Sequence, residues 1–338
     1  MNEMIPDKNL YSKIVELLAA ARQNVVRTVN QTMVYTYYEI GRMIVEDEQH
    51  GKERAEYGKQ VLKELSKRIT LEFGKGFSVQ NLENMRKFYL LYSSDEKSQS
   101  PIRISEKQNS MLSWTHYLML IRIDKKEERS FYEIEALNNN WSVRELQRQF
   151  NSALYERLVL SRNKEGVKQL AEKGQVIEKP LDFLKDPYIL EFLNLSEHKE
   201  YSENDLESEI IDKLEHFLLE LGKGFTFAGR QVRLTFDESH FKADLVFYNR
   251  LLKCFVIIDL KIGKLTHQDI GQMQMYVNYY DRIIKLPEEN KTIGIILCKD
   301  KSKTLVEFTL PQDNDSIFAS KYQTILPDKQ DFINLLNQ

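Results

Sequence analysis

The stretch ADLVFYNRLLKCFVIIDLKIGKL, residues 243–265, decides how the fold of this chain is interpreted. It contains two apolar runs, and the polar pair Asn249-Arg250 stands between them where a tight turn is expected. The second run, KCFVIIDL, is continuously apolar, as is typical of a strand that is covered on both faces. The sequence therefore predicts a hairpin in which Asp244 begins the first strand and Asp259 and Lys261 end the second.

The hairpin brings three charged side chains to one edge of the predicted sheet. Asp259 and Lys261 are two residues apart, so both point to the same face of their strand. Asp244 is nearer to the expected turn than Asp259 is, so a bulge or a tilt must take up the difference. Two carboxylates and one ammonium group then converge on a small volume.

This set of side chains is suited to the hydrolysis of phosphodiester bonds. Two neighbouring carboxylates repel each other without a cation, and carboxylate oxygens suit Mg²⁺, with Mn²⁺ as the second choice. Such a cation polarises the phosphate and lowers the pKa of a bound water, which Lys261 would orient or deprotonate. The Asp-Leu-Lys tripeptide alone is a weak signal, because a surface ion pair at a strand end has the same residues.

The rest of the chain divides by pattern into two parts. Residues 201–338 predict a helix, three strands, a second helix and a fourth strand, which is an α/β arrangement. Residues 1–165 have apolar residues at helical spacing, and helices over 58–72 and 79–92 with a Gly-rich turn between them outline a helix-turn-helix. Residues 166–200 are interrupted by Gly and Pro and are interpreted as a linker region.

The composition indicates a globular protein of the cytoplasm. No stretch approaches the ~20 apolar residues of a membrane span, and the N-terminus lacks the pattern of a signal peptide. Cys254 and Cys298 both lie in apolar runs, where buried and inert thiols are expected rather than a zinc site.

The charge is unevenly distributed along the chain, whose net charge is −3. Residues 51–92 hold nine basic and five acidic residues, whereas residues 201–338 hold 17 basic and 21 acidic residues. Because steering of a polyanion follows the summed field, we expect the basic segment to supply most of the affinity for nucleic acid. The residues assigned to that contact are Lys63, Lys67, Arg68, Arg86 and Lys87.

Arg230 has two interpretations. It lies between two strand-like pieces, where its guanidinium group would reach a phosphate of a nucleic acid. The alternative is a structural role in which it pairs with an acid at the edge of the sheet.

Several runs together resemble the YhcG-like PD-(D/E)XK nuclease family. In the C-terminal part they are GFTFAGRQVRL (224–234), residues 243–265, GQMQMYVNYYD (271–281) and TIGIILCKDKSKTLVEFTL (292–310). Upstream, runs such as VYTYYEIGRMIVEDEQHG (34–51), GFSVQNLENMRKFY (76–89) and NNNWSVRELQRQFNSALYERL (139–158) resemble the N-terminal helical domain of that family. The resemblance implies a restriction-endonuclease-like α/β domain preceded by a mostly helical, winged-helix-like domain.

The resemblance also implies roles for particular residues. Asp244 corresponds to the first catalytic acid of the family, Asp259 to the second and Lys261 to the lysine. Gln272 and Tyr276 are similar to the Q-x-x-x-Y element shared with RecB-type nucleases. The helix before the sheet is expected to add a metal-binding Glu, for which Glu207 is preferred over Glu220.

Two positions depart from the family pattern. Asp259 stands where many members have Glu, although both acids occur in the superfamily. Asn249 stands where a His is expected, and a His there would be a candidate for contacting phosphate. This second departure weakens the expectation of full activity.

Three functions remain open from the sequence. The first is a Mg²⁺-dependent endonuclease acting on DNA, whose N-terminal domain binds nucleic acid or a partner. The second is a nucleic-acid-binding or interaction protein that keeps the nuclease fold without efficient turnover, and the third is a nuclease directed at RNA. The N-terminal helical domain also leaves room for self-association or a protein partner.

Overall fold

The computed structural model describes residues 8–50, 55–93, 112–160, 164–195, 201–236, 239–326 and 328–330. Contacts divide the chain into two compact units, Met1–Gln147 and Arg148–Gln338. None of the helices among the described residues is both long and apolar enough to cross a membrane. Cys254 and Cys298 are free and buried, as predicted.

The described residues of the first unit form helices. They are α1 (Lys8–His50), α2 (Ala55–Phe73), α3 (Val79–Ser93), α4 (Trp114–Leu120), α5 (Lys126–Asn138) and the start of α6 (Val143–Asn151). No strand occurs among them, so the described part of this unit contains the predicted helices but not the wing of a winged helix.

α2, a short turn and α3 follow the predicted helix-turn-helix outline. Gly74 and Gly76 in the turn have φ angles of 83° and 119°, a backbone conformation that glycine adopts without a steric penalty. Ser78 then caps α3, because its hydroxyl oxygen accepts a hydrogen bond from the Asn81 amide at 3.3 Å.

α1 and α3 pack closely because of a glycine on α1. A Cβ atom added to Gly41 would lie 2.1 Å from the carbonyl oxygen of Met85 on α3. Met85 and Leu82 of α3 are fully buried, and they form a core cluster with Ile44 of α1 and Leu62 of α2. The three helices are therefore one packed substructure.

The second unit is built on a six-stranded sheet. Its strands are β1 (Tyr188–Ile189), β2 (Phe225–Phe236), β3 (Ser239–Asn249), β4 (Cys254–Lys264), β5 (Ile293–Asp300) and β6 (Ile317–Gln323). Their spatial order is β1-β6-β5-β4-β3-β2. β2, β3 and β4 are antiparallel neighbours, and β4, β5, β6 and β1 are parallel.

Helices cover both faces of this sheet. On one face, α9 (Glu203–Asp212) and α10 (Leu214–Leu221) pack on strand residues such as Phe247 and Ile258. On the other face, α11 (His267–Tyr279) packs on residues such as Val246 and Ile257. The apolar runs of β3 and β4 are buried on both faces, which explains why they lack an alternating pattern.

The hairpin between β3 and β4 has a longer turn than the sequence suggested. Pairing ends at Asn249 and Cys254, and residues 250–253 form the turn. The last recorded pair at the other end is Leu245 with Ile258, so the same register places Asp244 opposite Asp259. The longer turn takes up the difference in spacing, so β3 and β4 pair without a register shift from the turn up to Leu245 and Ile258.

The predicted boundaries differ from the observed ones. Within 166–200, expected to be a linker, β1 pairs with β6, and Phe183, Tyr188 and Leu190 are fully buried in the core of the second unit. Such short elements carry no periodicity, so the Gly and Pro residues around them resembled a linker. The end of α6 and the whole of α7 (Leu154–Leu160), predicted to belong to the first domain, lie in the second unit. The second unit also contains α8 (Lys164–Lys173), most of which falls in the predicted linker.

Candidate active site

Asp244 lies one residue beyond the last pair of β3 with β4, Leu245 with Ile258, and opposite Gln231 of β2. Its Oδ2 atom accepts a hydrogen bond from the backbone amide of Leu260 on β4 at 2.8 Å. Its Oδ1 atom accepts one from Nε2 of Gln231 on β2 at 3.1 Å. The carboxylate is thus fixed from both sides, by the backbone of one strand and by a side chain of the other.

Asp259 and Lys261 form a pair at the end of β4. Lys261 Nζ lies 2.9 Å from Asp259 Oδ2 and 3.6 Å from Glu203 Oε2 on α9. Asp259 is only 2% exposed. Burial and the charge of Asp244 raise the pKa of Asp259 to about 7, although Lys261 acts to lower it. Burial alone would lower the pKa of Lys261, but Asp259 and Glu203 outweigh it and the pKa is raised.

Glu207 of α9 is the third acid at this edge. It is 4% exposed, and its Oε2 atom accepts a hydrogen bond from Gln231 Nε2 at 2.5 Å. Burial, with the charge of Asp244 adding to it, raises the pKa of Glu207 above its ordinary value, although the hydrogen bond from Gln231 opposes the shift. Gln231 therefore joins Glu207 to Asp244.

Glu220, the alternative acid from sequence, lies elsewhere. Its Oε1 atom accepts hydrogen bonds from Arg157 at 2.6 Å and from the amide of Ile189 at 3.0 Å, and both Glu220 and Arg157 are fully buried. Burial acts to raise the pKa of Glu220, but Arg157, Lys185 and Arg148 lower it to about 2. These contacts give Glu220 a structural role.

Gln272 and Tyr276 lie one turn apart on α11. Gln272 Nε2 donates to the hydroxyl of the fully buried Tyr276, which donates to the backbone carbonyl of Lys242 at 2.9 Å. Burial raises the pKa of Tyr276, and Asp259 and Asp244 contribute to the shift. The pair is therefore close enough to the acids to interact with them, and it holds the segment of β3 that leads to Asp244.

Two carboxylate oxygens at the site are buried without a hydrogen bond, Oε1 of Glu207 and Oδ2 of Asp259. Each faces a cation at ion-pair distance, Arg230 at 3.4 Å and Lys261 at 2.9 Å, but outside hydrogen-bond geometry. Buried polar atoms normally have hydrogen-bond partners, so these two oxygens mark a place suited to a ligand.

The carboxylate oxygens of the site are ligands of the type that a divalent cation prefers, but they are not arranged around a common point. Among the described residues, no group of three or more His, Cys, Asp and Glu side chains is arranged to hold a metal ion as it stands. Lys261 and Gln231 instead contact the carboxylates that a cation would bind. Hard oxygen donors of this kind suit Mg²⁺ or Mn²⁺ once those contacts loosen.

The predicted nucleic-acid contacts fall in two places. The side chain of Arg230 on β2 is 51% exposed, and it pairs with Glu207, one of the acids at this edge of the sheet, as the structural alternative expected. Lys63, Lys67 and Arg68 lie on α2, and Arg86 and Lys87 lie on α3. Arg68 is paired with Glu64 and Arg86 with Glu48, and the three lysines are exposed.

Asn249 belongs to the hairpin turn, not to the acidic edge. Its Oδ1 atom accepts hydrogen bonds from the amides of Leu251 and Leu252, and its Nδ2 atom donates to the carbonyl of Lys223. It is separated from Asp244 by five strand steps, roughly 16 Å at ~3.3 Å per residue. Asn249 therefore does not contact the acids, and its contacts are those of a residue that stabilises the turn.

Sequence reasoning missed two residues of the site, Gln231 and Glu203. In the sequence, Gln231 is only the residue after Arg230. Its φ angle of 46° cannot be predicted from the spacing of apolar residues. Glu203 stands in the first turn of α9, where an acid is ordinarily explained by the helix dipole.

Two protein-family models together match most of the chain. Residues 181–337 match the family model described as the YhcG PDDEXK nuclease domain, and residues 13–157 match the one described as the DUF1016 N-terminal domain. The chain is 39% identical over 345 residues to the protein "Putative nuclease YhcG" of Escherichia coli (strain K12). That match covers 96% of this chain and 92% of the other.

Two solved structures show a weaker likeness. A repair endonuclease from Pyrococcus abyssi is 14% identical, with a TM-score of 0.26, over 38% of this chain and 50% of the other. EndoMS in its apo form is 16% identical, with a TM-score of 0.24, over 38% of this chain and 48% of the other. This chain spans about half of the length of each of these proteins.

The sheet, the acids at its edge and the two family matches agree, and they confirm the predicted restriction-endonuclease-like fold with a helical region before it. With 39% identity along nearly the whole chain, this protein belongs to the YhcG family of PD-(D/E)XK nuclease-domain proteins.

Proposed function

We propose that this chain is a metal-dependent endonuclease that hydrolyses phosphodiester bonds of DNA. The observation that carries the proposal is the meeting of Asp244, Asp259 and Glu207 with Lys261 at one edge of the sheet. Burying several acids together costs free energy, and such clusters are concentrated at functional sites. Membership of a nuclease-domain family supports the same conclusion.

Asp244, Asp259 and Glu207 are the residues that would hold the divalent cation, for which we expect Mg²⁺ or Mn²⁺. When bound, such a cation polarises the scissile phosphate and lowers the pKa of a water ligand. Oε1 of Glu207 has no hydrogen bond and is open to a cation, whereas Lys261 lies 2.9 Å from Oδ2 of Asp259 and would have to move aside.

Lys261 is suited to stabilising charge rather than to accepting a proton. Its pKa is raised by Asp259 and Glu203, so the side chain stays protonated at neutral pH. A protonated lysine beside the acids donates a hydrogen bond to a phosphate oxygen and offsets the charge that grows there in the transition state. Of the two roles considered from sequence, orienting the attacking water fits this protonation state better than removing its proton.

The N-terminal unit would supply affinity for the nucleic acid. Lys63 and Lys67 of α2 and Lys87 of α3 are exposed, and the helix-turn-helix outline is one that places a helix in a groove of DNA. Arg230 of the second unit would add a phosphate contact beside the acids, because half of its side chain is exposed. The alternative for the N-terminal unit is binding to a protein partner or to a second copy of the chain.

The proposal is tested by a cleavage panel on the purified full chain. Supercoiled plasmid, single-stranded DNA and RNA are each incubated with Mg²⁺, with Mn²⁺ or with a chelator. We expect plasmid to be nicked or cut with either metal and to stay intact with the chelator. Cleavage of RNA alone would assign the substrate to RNA, and binding without cleavage of any substrate would favour the non-catalytic alternative.

A further inference from the structure

Gln231 occupies an unusual backbone position in β2. The pairing of β2 with β3 is shifted between Phe227 and Gly229, and Arg230 and Val232 then pair with Leu245 and Ala243. This register sets Gln231 opposite Asp244. The φ angle of Gln231 is 46°, in the left-handed region that side-chain-bearing residues seldom adopt. Strain of this kind persists where the surroundings require a particular side-chain placement.

The side chain explains what the backbone conformation achieves. Nε2 of Gln231 donates at 2.5 Å to Glu207 Oε2 and at 3.1 Å to Asp244 Oδ1. Both neighbours are carboxylates, which accept hydrogen bonds when ionised, so the nitrogen of the amide must face them. The two hydrogens of this nitrogen satisfy one acid on α9 and one on β3.

Glu207 depends on this contact for its orientation. Its other oxygen, Oε1, has no hydrogen bond, and the nearest cation is the half-exposed Arg230 at 3.4 Å. Asp244 is also held by the Leu260 amide and is therefore less dependent on Gln231. Removing the amide would leave the long Glu207 side chain free to turn away from Asp244.

We propose that Gln231 is a positioning residue, whose amide holds Glu207 beside Asp244 so that the two acids bind a divalent cation together. The inference rests on the proposed function, because it concerns the same metal site. A neutral amide suits the task, since it holds two carboxylates together without cancelling their charge. A lysine or arginine would form a lasting ion pair there, and an acid would repel both neighbours.

The test measures binding of Mn²⁺ to the full chain by calorimetry, without nucleic acid. Gln231→Leu keeps the volume and removes the donor, whereas Gln231→Asn keeps an amide that is too short to reach both acids. Each should raise the Kd for Mn²⁺ by about 10–100-fold, the usual cost of losing a residue that orients a metal ligand. Gln312→Leu, at an exposed glutamine in the turn before β6, is the matched control and should leave the Kd unchanged.

A double-mutant cycle separates positioning from a general structural effect. If Gln231 acts through Glu207, then Gln231→Leu should not weaken Mn²⁺ binding further in a Glu207→Gln background. A residue that only supports the fold would lower the thermal midpoint in chelator without changing the Kd. If Gln231→Leu does not fold, Gln231→Asn carries the test, because Asn tolerates positive φ well.

The outcomes are distinguishable. A wild-type Kd for Mn²⁺ in both Gln231 variants would overturn the positioning role and leave the metal site intact. The same conclusion would follow if Gln231→Leu raised this Kd equally in the wild-type and Glu207→Gln backgrounds. Wild-type protein that neither binds Mn²⁺ nor cleaves nucleic acid would overturn both this inference and the proposed function.

Discussion

At the scale of single residues, burial and neighbouring charge determine the pKa of Asp259. It is almost completely buried, next to Asp244, and its pKa is raised to about 7 despite the ammonium group of Lys261. Such a group is costly to keep charged inside a protein. A divalent ion would relieve that cost, which is why the acids and not the surrounding apolar residues define the site.

Substitution of Gln272 tests whether α11 orients the catalytic residues without binding the metal ion. It donates to Tyr276, which in turn holds the carbonyl of Lys242, two residues before Asp244. We expect Gln272→Ala to lower kcat about tenfold or more, because small displacements of reacting groups slow catalysis strongly. The Kd for Mn²⁺ should stay at its wild-type value, and Gln268→Ala, at an exposed residue of the same helix, should change neither quantity. A large loss of metal binding in Gln272→Ala would show that this role is wrong.

Glu133 is predicted to make the stability of the N-terminal unit depend on pH. It is buried and accepts hydrogen bonds from Tyr92 and Tyr117, and burial raises its pKa to about 7 despite those bonds. The pKa of Glu133 in the folded state exceeds its ordinary value of 4.5. The contribution of Glu133 to the free energy of unfolding is therefore complete below about pH 4.5 and is lost as the pH rises through 7. The loss should amount to about 3 kcal/mol.

Fluorescence isolates this effect because both tryptophans, Trp114 and Trp141, lie in the first unit. Chemical unfolding is followed by tryptophan emission at several pH values. The free energy of unfolding should decline between pH 4.5 and 7.5 in the wild-type protein, and Glu133→Gln should remove this decline. Glu127→Gln, at an exposed acid of the same helix, serves as the control. A decline that persists unchanged in Glu133→Gln would contradict the assignment.

The sequence allowed Asp244, Asp259 and Lys261 to be selected, because charged residues at the ends of apolar runs are conspicuous, whereas Glu207 was selected through the family resemblance. Gln231 could not be found in the same way. Its importance comes from a positive φ angle and from contacts with residues that are remote in the chain. Propensity and periodicity do not encode either feature.

At the scale of elements, the β3–β4 hairpin places the two central acids opposite each other. Sequence predicted both strands, but it placed the turn at Asn249-Arg250 and therefore required a bulge. The structure extends the turn over 250–253, where Asn249 accepts hydrogen bonds from two turn amides. Such side-chain capping of a turn depends on local geometry, which is harder to infer than the strands themselves.

We expect basic residues on α2 and α3 to give the N-terminal unit its affinity for DNA. Reversing the charge of Lys63, Lys67 and Lys87 together should weaken binding and reduce the slope of log affinity against log salt by about two to three units. The measurement is a salt titration of binding in chelator, so that no substrate is cut. The matched control reverses Arg122, Lys125 and Lys126, which are exposed in the same unit. Unchanged affinity and slope in the α2–α3 variant would instead indicate a module for protein interaction.

At the scale of the whole molecule, a buried ionic network joins residues 148–160 to the nuclease fold. Arg157 of α7 donates to Glu220 of α10 and to the carbonyl of Pro187, and Arg148 pairs with Glu191 and Glu220. The family model for the N-terminal domain reaches residue 157, yet these contacts lie inside the second unit. A boundary read from sequence pattern alone cannot show such long-range pairing.

This network predicts a specific pattern of stabilities. Arg157→Met leaves Glu220 buried without its main partner and should destabilise the second unit by about 3–5 kcal/mol. Adding Glu220→Leu should recover much of the loss, because an apolar pair can replace a buried ion pair at little cost. Hydrogen exchange of the β4 and β5 amides measures the effect within the intact chain. Equal destabilisation by the single and double variants would count against the network.

Asp259 and Lys261 are proposed to form the catalytic centre of a metal-dependent nuclease. The most direct test compares plasmid cleavage with Mn²⁺ by wild-type protein, Asp259→Asn and Lys261→Met, after folding has been matched by thermal midpoint. Both substitutions keep the size of the side chain while removing a metal ligand or a cation. We predict metal-dependent cleavage by wild type and a loss of at least about 100-fold in each variant, which corresponds to roughly 3 kcal/mol of barrier. Wild-type rates in both folded variants would show that Asp259 and Lys261 do not form the catalytic centre.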